Sequence, residues 1–300
     1  YASGNISVER PILNDNMKVT YLVRSLIEEA ITSSQLEGAT TTREVAKKMI
    51  RDRRNPRDRS ERMILNNYNA IQFIRTVTDN ELTPELIKEI HKVIIDKTLD
   101  DTEKSGVFRG KDDDIHIVAD NTRIVFTPPD YKEIVKRVNE LCDFANNDDY
   151  TDFFIHPVIK AIFIHFYFAY IHPFVDGNGR TARALFYWYM IKKGYWLTEF
   201  ISISRILQQA PAKYGRSFLY TETDENDVTY FIDYQLNVIE RAIHDLNEYI
   251  KKKSLELQNT ETLLAQTSLA HTLNVRQLFL LKHALKSPGR LKRNWRLFHF

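Results

Sequence analysis

The thirteen residues IHPFVDGNGRTAR (171–183) place a histidine, a carboxylate, a Gly-Asn-Gly turn and two arginines inside an otherwise apolar neighbourhood. Gly177 and Gly179 flank Asn178 where the pattern turns helical, and they permit backbone angles that residues with a Cβ avoid. Such a turn aims several N–H groups at one point, and amides at a helix N-terminus form an anion site that the helix dipole strengthens. Arg180 and Arg183, three residues apart, can both project from the first turn toward that region. Two guanidiniums beside an amide nest point to a polyphosphate, because one phosphoryl group would not need both. Asp176 immediately precedes the nest and would repel a bare phosphate. Mg²⁺ resolves the conflict, since it takes one or two carboxylates together with phosphate oxygens and water. His172, with an ordinary pKa near about 6.5, suits a general base that accepts the proton of an attacking hydroxyl at neutral pH.

Taken singly, each of these residues has a plain structural reading. Asp-Gly and Asn-Gly are common turn dipeptides, an arginine pair is usually a solvated helix face, and a histidine between Ile and Pro can be a packed side chain. Their order within twelve residues carries the functional reading. The glycine spacing is neither that of a Walker loop nor the G-x-G-x-x-G of a dinucleotide fold.

Working outward, glycine and proline are scarce at nine each in 300 residues, and apolar residues recur at three and four positions, so the chain reads as mostly helical. The longest apolar run, AIFIHFYFAYI (161–171), falls well short of the ~20 residues of a membrane span and reads as a buried helix, from about His156 to Tyr170. A second helix follows from about Gly179 to Lys193, stopped by Gly194. Upstream, KVTYLVRSLIEEAITSSQLEG (18–38) has Val19, Leu22, Val23, Leu26, Ile27 and Ala30 on one apolar face and Gly38 placed to end it. Thr41 and Glu44 have capping-box spacing for a helix over TTREVAKKMI, the charged RDRRNPRDRSER (51–62) reads as a solvated link, and Thr83-Pro84 starts a helix carrying His91 and Ile94. IHIV and RIVF flank ADNT within residues 106–129 as a β-hairpin, after which Asp130 and Glu133 cap a further helix. Residues 228–258 form a long amphipathic helix with Ile232, Leu236, Ile239, Ile243, Leu246 and Ile250 on one side.

Composition bounds the function. The formal net charge of +2 gives no reason to expect a polyanion as the main partner. The single cysteine, Cys142, rules out an internal disulfide and a multi-cysteine zinc site, and fits a reducing compartment such as the cytoplasm. No basic stretch followed by an apolar run opens the sequence, while Tyr1 in place of Met leaves room for residues removed ahead of it.

HPFVDGNGRTAR resembles, at every defined position, the Fic-domain motif H-P-F-x-(D/E)-G-N-G-R-x-x-R, and the helical pattern with one hairpin over roughly residues 84–250 is also similar to that family. The resemblance implies an all-α, mainly helical Fic fold with one β-hairpin flap. It implies AMP transfer from ATP to a Ser, Thr or Tyr hydroxyl of a protein, self-modification included. His172 would be the base, Asp176 would hold Mg²⁺, Gly177, Asn178 and Gly179 would cradle the phosphates, and Arg180 and Arg183 would bind the β- and γ-phosphates. The flap, with Val125, Phe126 and Thr127 in RIVFTPP (123–129), would hold the target as an added strand. Tyr214, with Tyr220 in the same segment, would lie near adenine.

Ser33, Glu37 and Gly38 in SSQLEG similarly match the Fic inhibitory motif (S/T)-x-x-x-E-(G/N), on the N-terminal side of the core. By that likeness Glu37 would bind Arg183 and keep it from the γ-phosphate, and could position water for AMP removal. The implied organisation is an N-terminal helical region with the inhibitory helix (1–83), a Fic core (84–258) and a basic C-terminal segment (259–300). Residues 262–300 hold seven Lys and Arg and no acid, and 273–290 resemble the start of a winged helix. Two other readings stand beside this one: Fic-type transfer of phosphate or phosphocholine, and a regulator that binds nucleic acid through the basic tail and uses the loop only to sense nucleotide. A homodimer is compatible with any of them.

Overall fold

Every residue from Arg180 to Met190 is buried, so the helix that follows the Gly-Asn-Gly turn is the axis around which the fold is laid. The structure, a computed structural model, describes residues 15–119, 123–148 and 152–266. Among these, the chain forms α1 (Asp15–Leu36), α2 (Arg43–Asp52), α3 (Arg59–Thr76), α4 (Pro84–Ile95), β1 (Ile117–Ala119) and β2 (Arg123–Phe126). There follow α5 (Ile134–Asn146), α6 (Pro157–Ile171), α7 (Asn178–Lys192), α8 (Ile203–Gln209), α9 (Pro211–Thr223) and α10 (Thr229–Gln266). The chain divides into two compact units, one running to Ile243 and a second from His244 onward.

In the first unit α7 packs against α6, α3, α4 and α1, while α5 covers the far side of α6 and α8 lies on α1. The apolar run of α6 is core, with Ala161, Ile162, Ile164 and Phe168 wholly buried, and no helix among the described residues is long and apolar enough to cross a membrane. Thr83 caps α4 by accepting from the Leu86 N–H at 3.1 Å, with Pro84 in the first turn, where its missing N–H costs nothing. The fold is the mainly helical one expected, with one hairpin among the described residues.

Several local expectations shift. The cap of α2 is Thr42, which accepts from the Val45 N–H at 3.5 Å, one residue later than Thr41. Only residues 53–58 of the charged 51–62 stretch form a link, because Asp58 accepts from the Glu61 N–H at 2.8 Å and starts α3. Arg54 is no solvated charge there: it binds the buried Glu61 carboxylate at 2.6 Å. Ile64, Ala70 and Ile74 give α3 its buried face, a period hidden by the arginines in front of it. Val19 and Val23 are exposed, while Leu22 packs against the core and full burial of the α1 face begins at Leu26. On α10 the buried stripe runs through Phe231, Gln235, Val238, Ile239 and Ala242, and leaves Leu236 exposed. Asp130 caps a short 3-10 turn by accepting from the Lys132 N–H, and Glu133 makes no side-chain cap. The hairpin turn (120–122), and of the basic C-terminal segment all beyond Gln266, lie outside the described residues.

Asp58→Ala removes the only acceptor observed for that first-turn amide and should cost about 1 kcal/mol of unfolding free energy by urea titration, with an unchanged slope.

Candidate active site

Helix α6 ends at His172, whose left-handed backbone (φ +49°) returns its N–H to the Phe168 carbonyl at 3.1 Å. That conformation is uncommon for a residue with a Cβ and must be held from outside. Arg109, 7% exposed, does the holding: its Nε donates to the His172 carbonyl at 2.8 Å and its backbone N–H to the Pro173 carbonyl at 2.8 Å. Its Nη2 also donates to the carbonyls of Ile171 and Pro129, which ties the α6–α7 turn to the segment leaving the hairpin.

Asn178 closes the next part of the loop. Its Oδ1 accepts from the Phe174 N–H at 2.9 Å and its Nδ2 donates to the Phe174 carbonyl at 2.7 Å. Gly177 (φ +82°) is obligatory, since a Cβ there would come within 2.8 Å of Ile95 and 3.3 Å of the His91 ring. His91 lies stacked on Phe174, centroids 3.6 Å apart. Its Nδ1 accepts from the Gly106 N–H at 3.2 Å, so its Nε2 carries the proton and donates to the Asp176 carbonyl at 2.8 Å. Burial lowers its pKa to about 4, which keeps this brace neutral. Neither Arg109 nor His91 carried a signal in the sequence, because each acts on a segment more than sixty residues away.

With the loop fixed, α7 begins at Gly177 without a side-chain cap, and the N–H groups of its first turn have no intrahelical acceptor. A cavity of about 590 Å³ opens beside them, lined by Gly179, Arg183, His172, Tyr214, Glu37 and the hairpin residues Ile117, Val125 and Phe126. The Nδ1 of His172 is 3.2 Å from the Ala169 carbonyl and donates to it, which leaves Nε2 as a bare acceptor. Burial holds its pKa below the ordinary histidine value. Asp176 keeps its carboxylate partly exposed, accepting from the Gly177 N–H at 2.5 Å and from Arg180 at 3.4 Å, with Arg59 of α3 at 3.7 Å.

The two arginines part company. Arg180 is 1% exposed, donates to the Ile94 carbonyl at 3.2 Å and does not line the cavity. Three residues on a helix differ by about 60° in direction, enough for α4 to claim one guanidinium while the other faces the opening. Tyr214 lines the cavity, its hydroxyl 2.9 Å from Nε2 of the buried His165, and burial pushes its pKa up to about 12. Tyr220 lies elsewhere, half exposed against Tyr230. On the hairpin, Ile117 pairs with Phe126 and Val118 with Ile124, leaving Val125 as a bulge. The bulge turns Val125 and Phe126 to the same cavity, where a regular strand would oppose them. Thr127 lies outside it, its hydroxyl 3.2 Å from His116.

The N-terminal motif meets the loop. Gly38 (φ +90°) terminates α1, and the Glu37 carboxylate that precedes it binds Arg183 Nη2 at 2.8 Å. Arg183 also donates through Nε to Ser33 Oγ at 2.9 Å and through Nη2 to the Ser33 carbonyl at 3.0 Å. A Cβ on Gly179 would fall on Glu37 Oε1, so the carboxylate sits at the N-terminus of α7. The slight penalty expected from the C-terminal end of its own helix is thereby offset at the favourable end of another. Among the described residues no group of three His, Cys, Asp or Glu could hold a metal ion by itself. A lone carboxylate beside a phosphate cradle fits a cation that takes its other ligands from phosphate and water.

Residues 81–190 match the Fic/DOC family model. Protein adenylyltransferase fic-1 of Caenorhabditis elegans is 33% identical over 70 residues, 23% of this chain and 13% of that protein. Protein adenylyltransferase Fic of Nematostella vectensis is 37% identical over 68 residues, 23% of this chain and 16% of that protein. The matched stretches thus span well under a quarter of these relatives' length. The structure of a Fic family protein from Desulfovibrio desulfuricans superposes with a TM-score of 0.61 at 16% identity, over 92% of this chain and 80% of that one. Fic-1 of C. elegans (its residues 134–508) gives 0.60 at 19% identity, over 78% and 66%. At these identities the likeness is one of fold.

Glu222, which the sequence gave no reason to single out, also lines the cavity, and burial raises its pKa to about 7. A raised carboxyl pKa destabilises the fold once the group is ionised. The cost is absent below the ordinary value of 4.5 and complete above about 7. Glu222→Gln should therefore melt higher than the parent at about pH 8, with the gain vanishing by about pH 4.5 in a thermal-melt series.

Proposed function

We propose that this chain, a Fic-domain protein through residues 81–190, transfers AMP from ATP to a hydroxyl group of a target protein and restrains itself through Glu37. The observation that carries the reading is that His172, its Nδ1 committed to the Ala169 carbonyl and its Nε2 left as an acceptor, lines the same cavity as Gly179 at the start of α7 and Arg183. A triphosphate anchored on that helix start and on Arg183 presents its α-phosphorus toward His172. The target hydroxyl oxygen then bonds to the α-phosphorus as the bond to the bridging oxygen of the β-phosphate breaks. The proton passes to His172 Nε2, and pyrophosphate leaves with the electron pair. That attack falls on the α-phosphorus is taken from the family resemblance. Asp176 would hold Mg²⁺, which supplies positive charge to the phosphates and the leaving group. Arg180 acts from beneath the loop, through Asp176 and the end of α4, in place of the direct phosphate contact first expected.

Tyr214 and Phe126 give adenine an aromatic and apolar wall. Among the described residues β2 pairs only with β1, so its outer edge can take a target segment as a further strand, through main-chain bonds that tolerate varied side chains. The restraint follows from Glu37 occupying the donors that the terminal phosphate needs. ATP that binds beside it holds its α-phosphate out of line, and about 1 Å of misplacement costs ~100-fold in rate. The same carboxylate could orient water for the reverse step.

Incubation of purified protein with α-labelled ATP, Mg²⁺ and cell lysate tests this. Glu37→Gly should raise incorporation ~100-fold, and mass spectrometry should show a gain of AMP and not of phosphate or phosphocholine. Incorporation equal to the parent's would refute the restraint.

His172→Ala should bind ATP and label nothing, general-base catalysis being worth ~10²–10⁴-fold. Undiminished labelling would exclude His172 as the base, whereas labelling lost with ATP binding intact would set aside the nucleotide-sensor reading.

A further inference from the structure

Helix α1 carries a polar stripe at four-residue intervals, Glu29, Ser33 and, one residue past its end, Glu37. Each member meets a residue of α7 in the reverse order, also four apart: Glu29 meets Tyr187, Ser33 meets Arg183, and Glu37 spans Arg183 and Gly179. The two helices are thus zipped antiparallel by side chains that fix their relative position along the axis. We infer that Glu29 is the register pin of the restraint, a positioning residue that sets where Glu37 falls on Arg183. This rests on the reading that Glu37 restrains the enzyme.

Glu29 is 3% exposed and is met by neutral donors. Its Oε2 accepts from Tyr187 Oη at 2.9 Å, Ser202 Oγ at 2.8 Å and the Ser204 N–H at 3.1 Å, and its Oε1 accepts from Ser204 Oγ. Tyr187 Oη is itself fixed by accepting from the Ile203 N–H at 3.0 Å. A buried carboxylate whose hydrogen bonds, among the described residues, all come from neutral donors is tolerated only when its lone pairs are filled, and here α7 and the start of α8 fill them together. A slip of α1 by one turn, about 5.4 Å, would carry Glu29 beyond hydrogen-bond reach of every one of these donors. The register is therefore close to all-or-none. Glu29 stands eight residues from Glu37, about 12 Å along the helix, and does not line the cavity, so its influence runs through the position of α1.

Glu29→Gln keeps the shape but turns an NH₂ toward groups that are themselves donors. With Glu37 intact, this variant should raise AMP incorporation about tenfold or more over the parent, and its α1 amides should exchange hydrogen faster. Ser204→Ala, which deletes one donor and little volume, should shift both readouts the same way by less, and serves if Glu29→Gln does not fold. Glu29→Gln with Glu37→Gly should label no faster than Glu37→Gly alone, because the pin has nothing left to position. Parental labelling by both Glu29→Gln and Ser204→Ala, beside an activated Glu37→Gly, would overturn the pin and leave the restraint standing. A lowered melting temperature without a gain in labelling would show a merely structural role and overturn it equally, as would added activity in the double variant. An inert Glu37→Gly would bring down the restraint and the pin together.

Discussion

A guanidinium buried to the extent of Arg183, 1% exposed, needs an anion, and the site turns on which anion supplies it. The bonds to Ser33 are to neutral oxygens and leave the charge uncompensated. Burial is the largest single influence and works against the cation, yet Glu37, with Tyr214 and Glu29 added to it, holds the arginine's pKa above its ordinary value. Glu37 reaches solvent but Arg183 does not, so loss of the carboxylate leaves a buried guanidinium without a counter-charge. Under the proposed function Arg183 would exchange one anion for another. The carboxylate of Glu37 sits at the start of α7 and on Arg183, where the proposed function places a terminal phosphate.

Such an exchange is specific only if the donors stay still. Four devices hold the loop in place: the Arg109 clamp on the turn carbonyls, the Asn178 amide across Phe174, the close seat of Gly177 on Ile95 and the neutral His91 beneath Asp176. Three of them satisfy backbone groups that an irregular segment would otherwise turn to water, while the seat of Gly177 is a steric contact. Donors held in advance need no reorganisation when charge develops, which is where fixed dipoles act most strongly. The hairpin is bound into the same framework, because Arg109 holds Pro129 as well as the turn.

What the sequence disclosed and what it hid divide along sequence distance. The loop could be read because its chemistry is contiguous: His172, Asp176, Gly177, Gly179 and Arg183 fall within twelve positions, and the helix start that joins them leaves its own local pattern. The long helices were legible from their period. Helix α3 was not, since Arg57, Arg59 and Arg62 mask the buried positions that Asp58 introduces. The diverging fates of Arg180 and Arg183 depend on which neighbour packs on which side, and that is a property of α4 and α1. Glu29, Arg109 and Glu222 look like ordinary charges on amphipathic segments until the partner residues, 60 to 175 positions away in two of the three cases, are brought to them.

Three histidines stand within or beneath this site, and their acidities do not say which one does chemistry. Burial drives His91 to about 4 and His165 to about 3, and lowers His172 as well. All three are therefore neutral near pH 7, in spite of the Asp176 and Glu37 carboxylates nearby. The choice among them is geometric. His91 spends both nitrogens on backbone groups, Gly106 and Asp176. His165 is wholly buried behind Tyr214. Of the three, only His172 lines the cavity, with Nδ1 fixed on a backbone carbonyl and Nε2 left as an acceptor at the left-handed end of α6. The left-handed backbone at that residue is a local cost of this turn, and Arg109 is the group that sustains it.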